Sequence, residues 1–575
     1  MAAGENRSDA VPSAKASRPG SAAHAAAFQP SLAGSDRQAD AAPTGPGSTL
    51  LERVLGSWPV AAGLLAAFWV LGYTSLLEKS PAFDEPAHLT GGYSYWVTGD
   101  WRLHPENGML PQRLMALPLL AGDWRFPSLD QRAWQKSNPY DLSYQFLYQT
   151  GNNPDAMMKR AHAAMTTVAA GLALAIWGIS RRLFGPLGGA ISLAAFAFNP
   201  GFLANGPLAT SDATAALLFL PATWSFWQLL QKVTWRRLVL SCLAAGLLVL
   251  AKFSGLLLAP MALVLVAIRL AVGRPLPVRL PRPIEIRGRL AQAAVCMGLC
   301  LAHVAAAVTI IWAFHGFRYS PFRHPAPTDH LIENWPADLQ DTGAGQAIAF
   351  ARDRRLLPES YLFGLAYMLE HSRQRLAFLN GQASLHGWAT FFPYAFLVKT
   401  PIPLLVLLVL AALAAGAKWR AKLPGAPPDK WTHRAARAAY ATAPLWALLG
   451  VYWAASLSAN INIGHRHLLP VYPPVLVLAG AAGWWLRKGA PAVGRWIAAA
   501  LLAALPAEAL LAWPDYLAYF NQLAGGTANG YKHLVDSSLD WGQDLPGLKR
   551  WLQRRDLTHG KTPAYFAYFG AADPA

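Results

Sequence analysis

Residues 291–314, AQAAVCMGLCLAHVAAAVTIIWAF, run for 24 positions without an Asp, Glu, Lys or Arg. As a helix rising about 1.5 Å per residue, such a run covers the ~30 Å hydrocarbon core of a bilayer. The residues before it, 269–289, carry six Lys or Arg and one acid, Glu285. A long uncharged run beside a basic flank reads as a membrane span with that flank in the cytoplasm. Ten further windows read the same way: 58–77, 160–180, 187–204, 208–230, 237–252, 254–272, 393–416, 438–458, 467–486 and 493–512. The pair around Lys252 also fits one broken helix.

The whole composition agrees. Of 575 residues, 54% are hydrophobic and 14% charged, and the mean hydropathy is +0.24. Soluble domains carry about 25% charged residues, so a soluble enzyme is excluded. The 23 Trp and 18 Tyr suit a chain with two wet interfaces to anchor. Cys242, Cys296 and Cys300 all lie in apolar stretches, where they read as small buried hydrophobes rather than a disulfide or metal framework. The expected class is an all-α polytopic membrane protein of about eleven transmembrane helices.

A net charge of +18 could point to nucleic acid, but its distribution points elsewhere. Loops 181–186, 231–237, 269–289, 418–437 and 487–495 together hold 20 Lys or Arg against two acids, whereas loop 78–159 holds seven basic and nine acidic residues. The positive-inside rule puts the five basic loops in the cytoplasm, and with them residues 1–50. That Ala/Ser/Pro/Gly-rich stretch is expected to be a disordered tail. The transmembrane domain then covers 51–512, with outer loops 78–159 and 315–392. A short outer segment, 513–575, follows. Run 109–121, with Met109, Leu110, Leu114, Met115 and Leu117, reads as an interfacial helix in the first outer loop. The expected partners include the lipid bilayer and exclude nucleic acid, and the expected site is the inner membrane.

Chemistry-bearing residues cluster at the outer ends of spans. Pro81-Ala82-Phe83-Asp84-Glu85-Pro86-Ala87-His88 places a carboxylate pair and a histidine at the exit of the first span. Such a pair can hold an acceptor hydroxyl and take its proton, although a solvated acidic turn would look the same. Thr210-Ser211-Asp212 opens the fourth span. An acid there is costly in lipid and points to function, while a plain helix cap is compatible with it. Lys252, His465, Arg466 and His467 are cations or potential cations near the same side, and Lys399 is a weaker member. A phosphate would satisfy them, since Arg binds one bidentately; snorkelling alone explains Lys252 but not a His-Arg-His cluster. Acids and phosphate-compatible cations on one face suit sugar transfer from a lipid phosphate. Asp536–Asp544 fails as a Ca²⁺ loop because its sixth position is Trp541, and His465/His467 have poor zinc spacing. No metal is expected and no cofactor is required, with a divalent cation near Asp84 and Glu85 left open.

These blocks resemble bacterial polyprenyl-phosphate-dependent glycosyltransferases of the C-type fold, similar to the protein O-mannosyltransferase (family 39) and lipid A aminoarabinose transferase groups. The resemblance runs in order from Phe83–His88 through Gly92-Tyr93, His104-Pro105, Thr210–Asp212, Lys252–Gly255, Gly387-Trp388, Lys399–Pro401 and Gly464–Pro470 to Tyr519–Leu545. It implies inverting transfer of a sugar from a polyprenyl-phosphate donor to an acceptor protein, lipid or glycan on the outer face. It also implies that Asp84 is the general base, with Glu85 and Asp212 beside it and His88 and His104 shaping the site. Lys252, Arg466, His465 and Lys399 would face the donor phosphate. Where relatives often read His-Pro-Pro-Leu, this chain has His104-Pro105-Glu106-Asn107. A lipid-linked-sugar flippase and a non-catalytic subunit of an envelope-polysaccharide assembly are the alternatives.

Overall fold

The computed structural model describes residues 50–280, 282–323, 339, 341–420, 431–555 and 568–573. The expected tail, 1–50, lies almost wholly outside the described residues, as does part of the basic loop 418–437. Helices form over every expected window, and local sequence explains where they start. Asn153-Pro154 and Asn199-Pro200 each place a capping amide before an N-terminal proline; the side chains accept from the amides of Ala156 and Phe202. Prolines and Lys252 also interrupt. The third window splits into Pro186–Ala197 and Pro200–Asn205. Pro401 separates Phe391–Lys399 from the helix starting at Ile402, with a bend of 101°. At Lys252 the helix Trp235–Ala251 gives way to a 3₁₀ turn, Phe253–Leu257, before Leu258–Val272.

With these interruptions, fewer unbroken long apolar helices are present than the about eleven expected. Among the described residues, seven helices are long and apolar enough to cross a membrane, or eight if the bent pair counts as one. Pro186–Ala197 and Ala443–Leu457 are shorter apolar helices.

Burial sorts the spans. The crossing window of Asp212–Gln231 is 83% buried and that of His465–Leu486 is 78% buried, against 22% for Trp58–Ser75 and 17% for Arg289–Phe314. The first two form the central axis, while Trp58–Ser75 presents Val70 outward and Arg289–Phe314 presents Met297, Leu301 and Val304. Asp212 opens one central helix, and Arg466 lies in the first turn of the other. The packing of these two helices therefore sets the distance between an acid and a cation distant in sequence.

Strands add to an otherwise helical chain. Val233–Thr234 pairs in parallel with Leu276–Leu280, which pairs antiparallel with Arg282–Ile286, in register Val278↔Ile284. A hairpin of Ala377–Leu379 and Gln382–Ser384 lies in the second long loop. The first long loop folds into helices Glu85–Val97, Met109–Ala116 and Pro139–Tyr144. Gly108 enters this packing at a point where any Cβ would collide with the Ala251 carbonyl, which brings the loop against the Lys252 break.

Candidate active site

Asp84 is the residue before helix Glu85–Val97, yet its side chain makes no capping hydrogen bond. It turns to Arg466, whose Nη1 donates to Asp84 Oδ2 at 3.1 Å and lies 3.5 Å from Asp212 Oδ2. Asp212 is similarly free of capping work, since Ser211 is the cap residue, and its other oxygen accepts from Lys252 Nζ. Asp84, Arg466, Asp212 and Lys252 thus form a chain of alternating charge. Asp212 and Arg466 are buried, while Asp84 and Lys252 keep about a fifth to a quarter of their side chains exposed. Buried charges of this kind persist only when paired.

Glu85 has a different environment from its neighbour. Its Oε1 accepts from the Ala209 amide at 2.7 Å and lies 2.8 Å from His162 Nε2, and its Oε2 accepts from the Ala82 amide at 2.7 Å. Both oxygens are engaged by protein, so the side chain joins three segments distant in sequence and fixes the loop before Asp212.

Two histidines border the acid. His88 meets the His104 ring edge-on at 4.7 Å, and its buried Nδ1 has no hydrogen-bond partner. Burial, reinforced by His104, pushes the His88 imidazole well below its ordinary pKa. His104 Nδ1 lies 2.9 Å from Glu106 Oε1, and Nε2 lies 3.0 Å from Asn107. Burial opposes protonation of His104, but the Glu106 carboxylate outweighs it and raises the imidazole pKa. Burial likewise opposes ionisation of Glu106, and His104 holds it below the usual carboxylate range. The departure at Glu106-Asn107 therefore supplies both partners of His104, which sits at the left-handed φ of 52°.

The remaining cations are committed elsewhere. Lys399 Nζ donates to the carbonyls of Leu517 (2.9 Å) and Ser538 (2.7 Å) and lies over Phe520. His465 Nε2 lies 2.7 Å from Tyr472 Oη, and its amide donates to Ser538 Oγ. Both expected phosphate ligands thus tie segment 513–545 to the bundle, rather than joining Lys252 and Arg466. Gly464 belongs to the same seam, because a Cβ there would strike Ser537 Oγ.

Sequence reasoning did not assign roles to Trp541, His162 or Glu106. Trp541 lies under Arg466 at 3.7 Å from the ring centroid, and its carbonyl accepts from the Phe83 amide at 2.9 Å. A lone histidine in the second span, His162, is the kind of signal that marks a buried polar partner. Among the described residues, no group of three or more His, Cys, Asp or Glu is placed to hold a metal ion.

The fold and this cluster define a multi-pass helical membrane protein with paired acids and cations at one end of its bundle. Residues 153–281 match the family model described as dolichyl-phosphate-mannose-protein mannosyltransferase. That match supports the resemblance read from the sequence, and the class of the matched family is a glycosyltransferase. No curated protein matches the chain. Among solved structures it is similar to ArnT from Cupriavidus metallidurans bound to undecaprenyl phosphate, at 14% identity and a TM-score of 0.41, covering 82% of this chain and 74% of that one. It is also similar to the Archaeoglobus fulgidus oligosaccharyltransferase in the apo form, at 13% identity and a TM-score of 0.41, covering 88% and 58%. A third similarity is to AglB from that organism in complex with an inhibitory peptide and a dolichol-phosphate, at 12% identity and a TM-score of 0.41, covering 89% and 62%. The chain thus spans less than two thirds of the archaeal proteins' length.

Proposed function

We propose that the chain is a membrane glycosyltransferase that moves a sugar from a polyprenyl-phosphate donor to an acceptor on the outer face of the inner membrane, with inversion and with Asp84 as general base. The observation that carries this reading is the Asp84–Arg466–Asp212–Lys252 chain of charges. In it, the two acids occupy the cations that a donor phosphate would need. A phosphate arriving at Arg466 and Lys252 would displace Asp84 from the guanidinium, so donor binding would release the base. Asp212 would stay with Lys252 and keep that cation in place.

The acceptor oxygen then attacks the anomeric carbon as the carbon–oxygen bond to phosphate breaks. The acceptor proton passes to Asp84. The leaving phosphate takes the bonding electron pair, and its charge is held by Arg466 and Lys252. Glu85 fixes the two loops, and His88, neutral and without a protein partner, offers a hydrogen bond to substrate. Lys399 and His465 hold the outer segment behind the site.

General-base catalysis contributes on the order of 10²–10⁴ in rate, so Asp84→Asn should lower transfer by about 10³-fold while the protein still inserts and accumulates. Mass spectrometry of envelope glycans and glycoproteins in a deletion strain, complemented by wild type or Asp84→Asn, provides the test. Loss of one sugar product, restored only by wild type, is the expected result. Full restoration by Asp84→Asn would remove the base assignment.

A further inference from the structure

Lys79, just beyond the first span, is held between two carboxylates distant in sequence. Its Nζ lies 2.5 Å from Asp515 Oδ1 and 2.8 Å from Asp544 Oδ1. Asp515 follows the last span, and Asp544 is the residue before helix Leu545–Arg554. In that position Asp544 could cap the helix, yet its side chain makes no capping hydrogen bond and meets Lys79 instead. Burial opposes the Lys79 charge, but the two carboxylates outweigh it and raise the pKa. The Lys79 side chain is 9% exposed, whereas those of Asp515 and Asp544 are 54% and 50% exposed. Both contacts use Oδ1, so Oδ2 of each acid remains able to accept from another donor.

These acids share a cleft with cations. It measures about 560 Å³ and is lined by Lys79, Asp515 and Asp544 together with Arg550, Trp551 and Arg554 of the helix. Gly547 lines it too, where a Cβ would come within 2.6 Å of Asp544 Oδ1, so glycine leaves the carboxylate its room. Arg550 pairs with Glu78 at 3.2 Å, a contact between exposed groups that is weak enough to exchange for another anion. The cleft also has a defined height. Helix Ala492–Ala512 ends in Leu510 and Leu511, 60% and 87% exposed, which face lipid in a bilayer, and Asp515 follows directly. Lys79 is as close to the end of Trp58–Ser75. Two spans thus deliver the cleft to the headgroup level, where exposed indoles such as Trp551 concentrate. A purely anionic headgroup entering it would meet Asp515 and Asp544, and a simple cation would meet Arg550 and Arg554. A ligand that carries both signs a few atoms apart satisfies both pairs.

We propose that this cleft binds a zwitterionic phospholipid headgroup with a primary amine, as in phosphatidylethanolamine, from the leaflet at the Asp84 end of the bundle. The headgroup ammonium donates to Asp515 and Asp544, and its phosphate accepts from Arg550 and Arg554. A choline headgroup has no N–H to donate, so the two carboxylates select against it. The site connects to the acid cluster through a short ladder. The amides of Ser80 and Phe83 donate to the carbonyls of Gln543 and Trp541, both at 2.9 Å, and Asp84 follows Phe83. Lys79 and Asp544 flank that ladder, so a bound headgroup steadies both of its strands.

Amide exchange of residues 545–554 tests this in the purified full chain, reconstituted in nanodiscs of phosphatidylcholine alone or mixed with phosphatidylethanolamine or phosphatidylglycerol. In wild type, phosphatidylethanolamine should slow exchange about tenfold, and phosphatidylglycerol should leave it near the phosphatidylcholine value. Asp544→Asn, which keeps Asp515 on Lys79, and Arg554→Gln should each abolish the phosphatidylethanolamine effect. Unchanged exchange in helix Asp212–Gln231 reports an intact fold in both variants. Equal wild-type exchange in phosphatidylethanolamine and phosphatidylcholine would overturn the proposal. So would equal protection by phosphatidylglycerol, or protection that survives both substitutions combined. The readout does not depend on sugar transfer, so failure of the transferase reading would leave it intact.

Discussion

The two ends of the helical bundle handle positive charge in opposite ways. At the basic end, Arg279, Arg282 and Arg287 lie exposed on or beside a small sheet, and Arg287 pairs with exposed Glu285 at 3.0 Å. Arg269 is buried there, but it donates to the carbonyls of Leu230 and Pro275 and meets no carboxylate among the described residues. At the other end, Arg466 is buried against two carboxylates and an indole. Exposed charges can each be satisfied by water, so they act independently of one another. Buried charges are satisfied only by one another, and none can change without exposing its partners.

The sharpest way to break that contrast is Arg466→Lys. An ammonium keeps the charge but loses the planar face over Trp541 and the two-pronged grip on phosphate. Donor KM should rise about 100-fold, with kcat falling less, in steady-state assays with a polyprenyl-phosphate sugar. Next is Glu85→Gln, which replaces a carboxylate accepting from two amides with a group that donates on one side. It should cost about 2–3 kcal/mol, read as a lower thermal midpoint in detergent, without a new pH dependence of transfer.

Glu106→Gln should act through pH and cost about 1–2 kcal/mol at most. His104 is raised by Glu106, so its contribution is present below the ordinary imidazole pKa and is lost as pH rises through the raised value. Glu106 is lowered by His104, so its contribution is present above the ordinary carboxylate pKa and is lost as pH falls through the lowered value. The difference between wild type and variant should therefore peak in the mildly acidic window and shrink on both sides of it. Thermal melting across that range tests both signs. Smallest of all, Arg279→Gln with Arg282→Gln should stay within about 0.5 kcal/mol and leave transfer unchanged. A large effect there would mean that the basic end is not merely topological.

Charge at the ends of apolar runs made much of this legible. Asp84, Asp212, Lys252 and Arg466 stood out because lipid makes each costly, and the structure joins all four. The same rule also selects Lys399 and His465, which meet carbonyls and a hydroxyl in the structure, since a cation at a span end can be satisfied by these as well as by phosphate. A charge reveals that a partner is needed but not which one. Trp541 reads as a mismatch in a Ca²⁺ loop and as one residue of the resembling stretch Tyr519–Leu545, because nothing local indicates that an indole will lie beneath an arginine 75 positions earlier. The strand pair Leu276–Leu280 and Arg282–Ile286 was hidden among prolines and arginines that read as a loop.

The stacking of Arg466 on Trp541 also has a consequence for synthesis. The chain emerges from the ribosome with Asp84 early, Asp212 and Lys252 next and Arg466 much later, and the indole that underlies the cluster arrives last. A nascent chain with every long apolar helix already inserted still lacks the floor of its Asp84–Arg466–Asp212 cluster. The protein is therefore anchored in the membrane well before this cluster is complete, and a product cut short between the last span and Trp541 would be membrane-bound without the indole beneath Arg466.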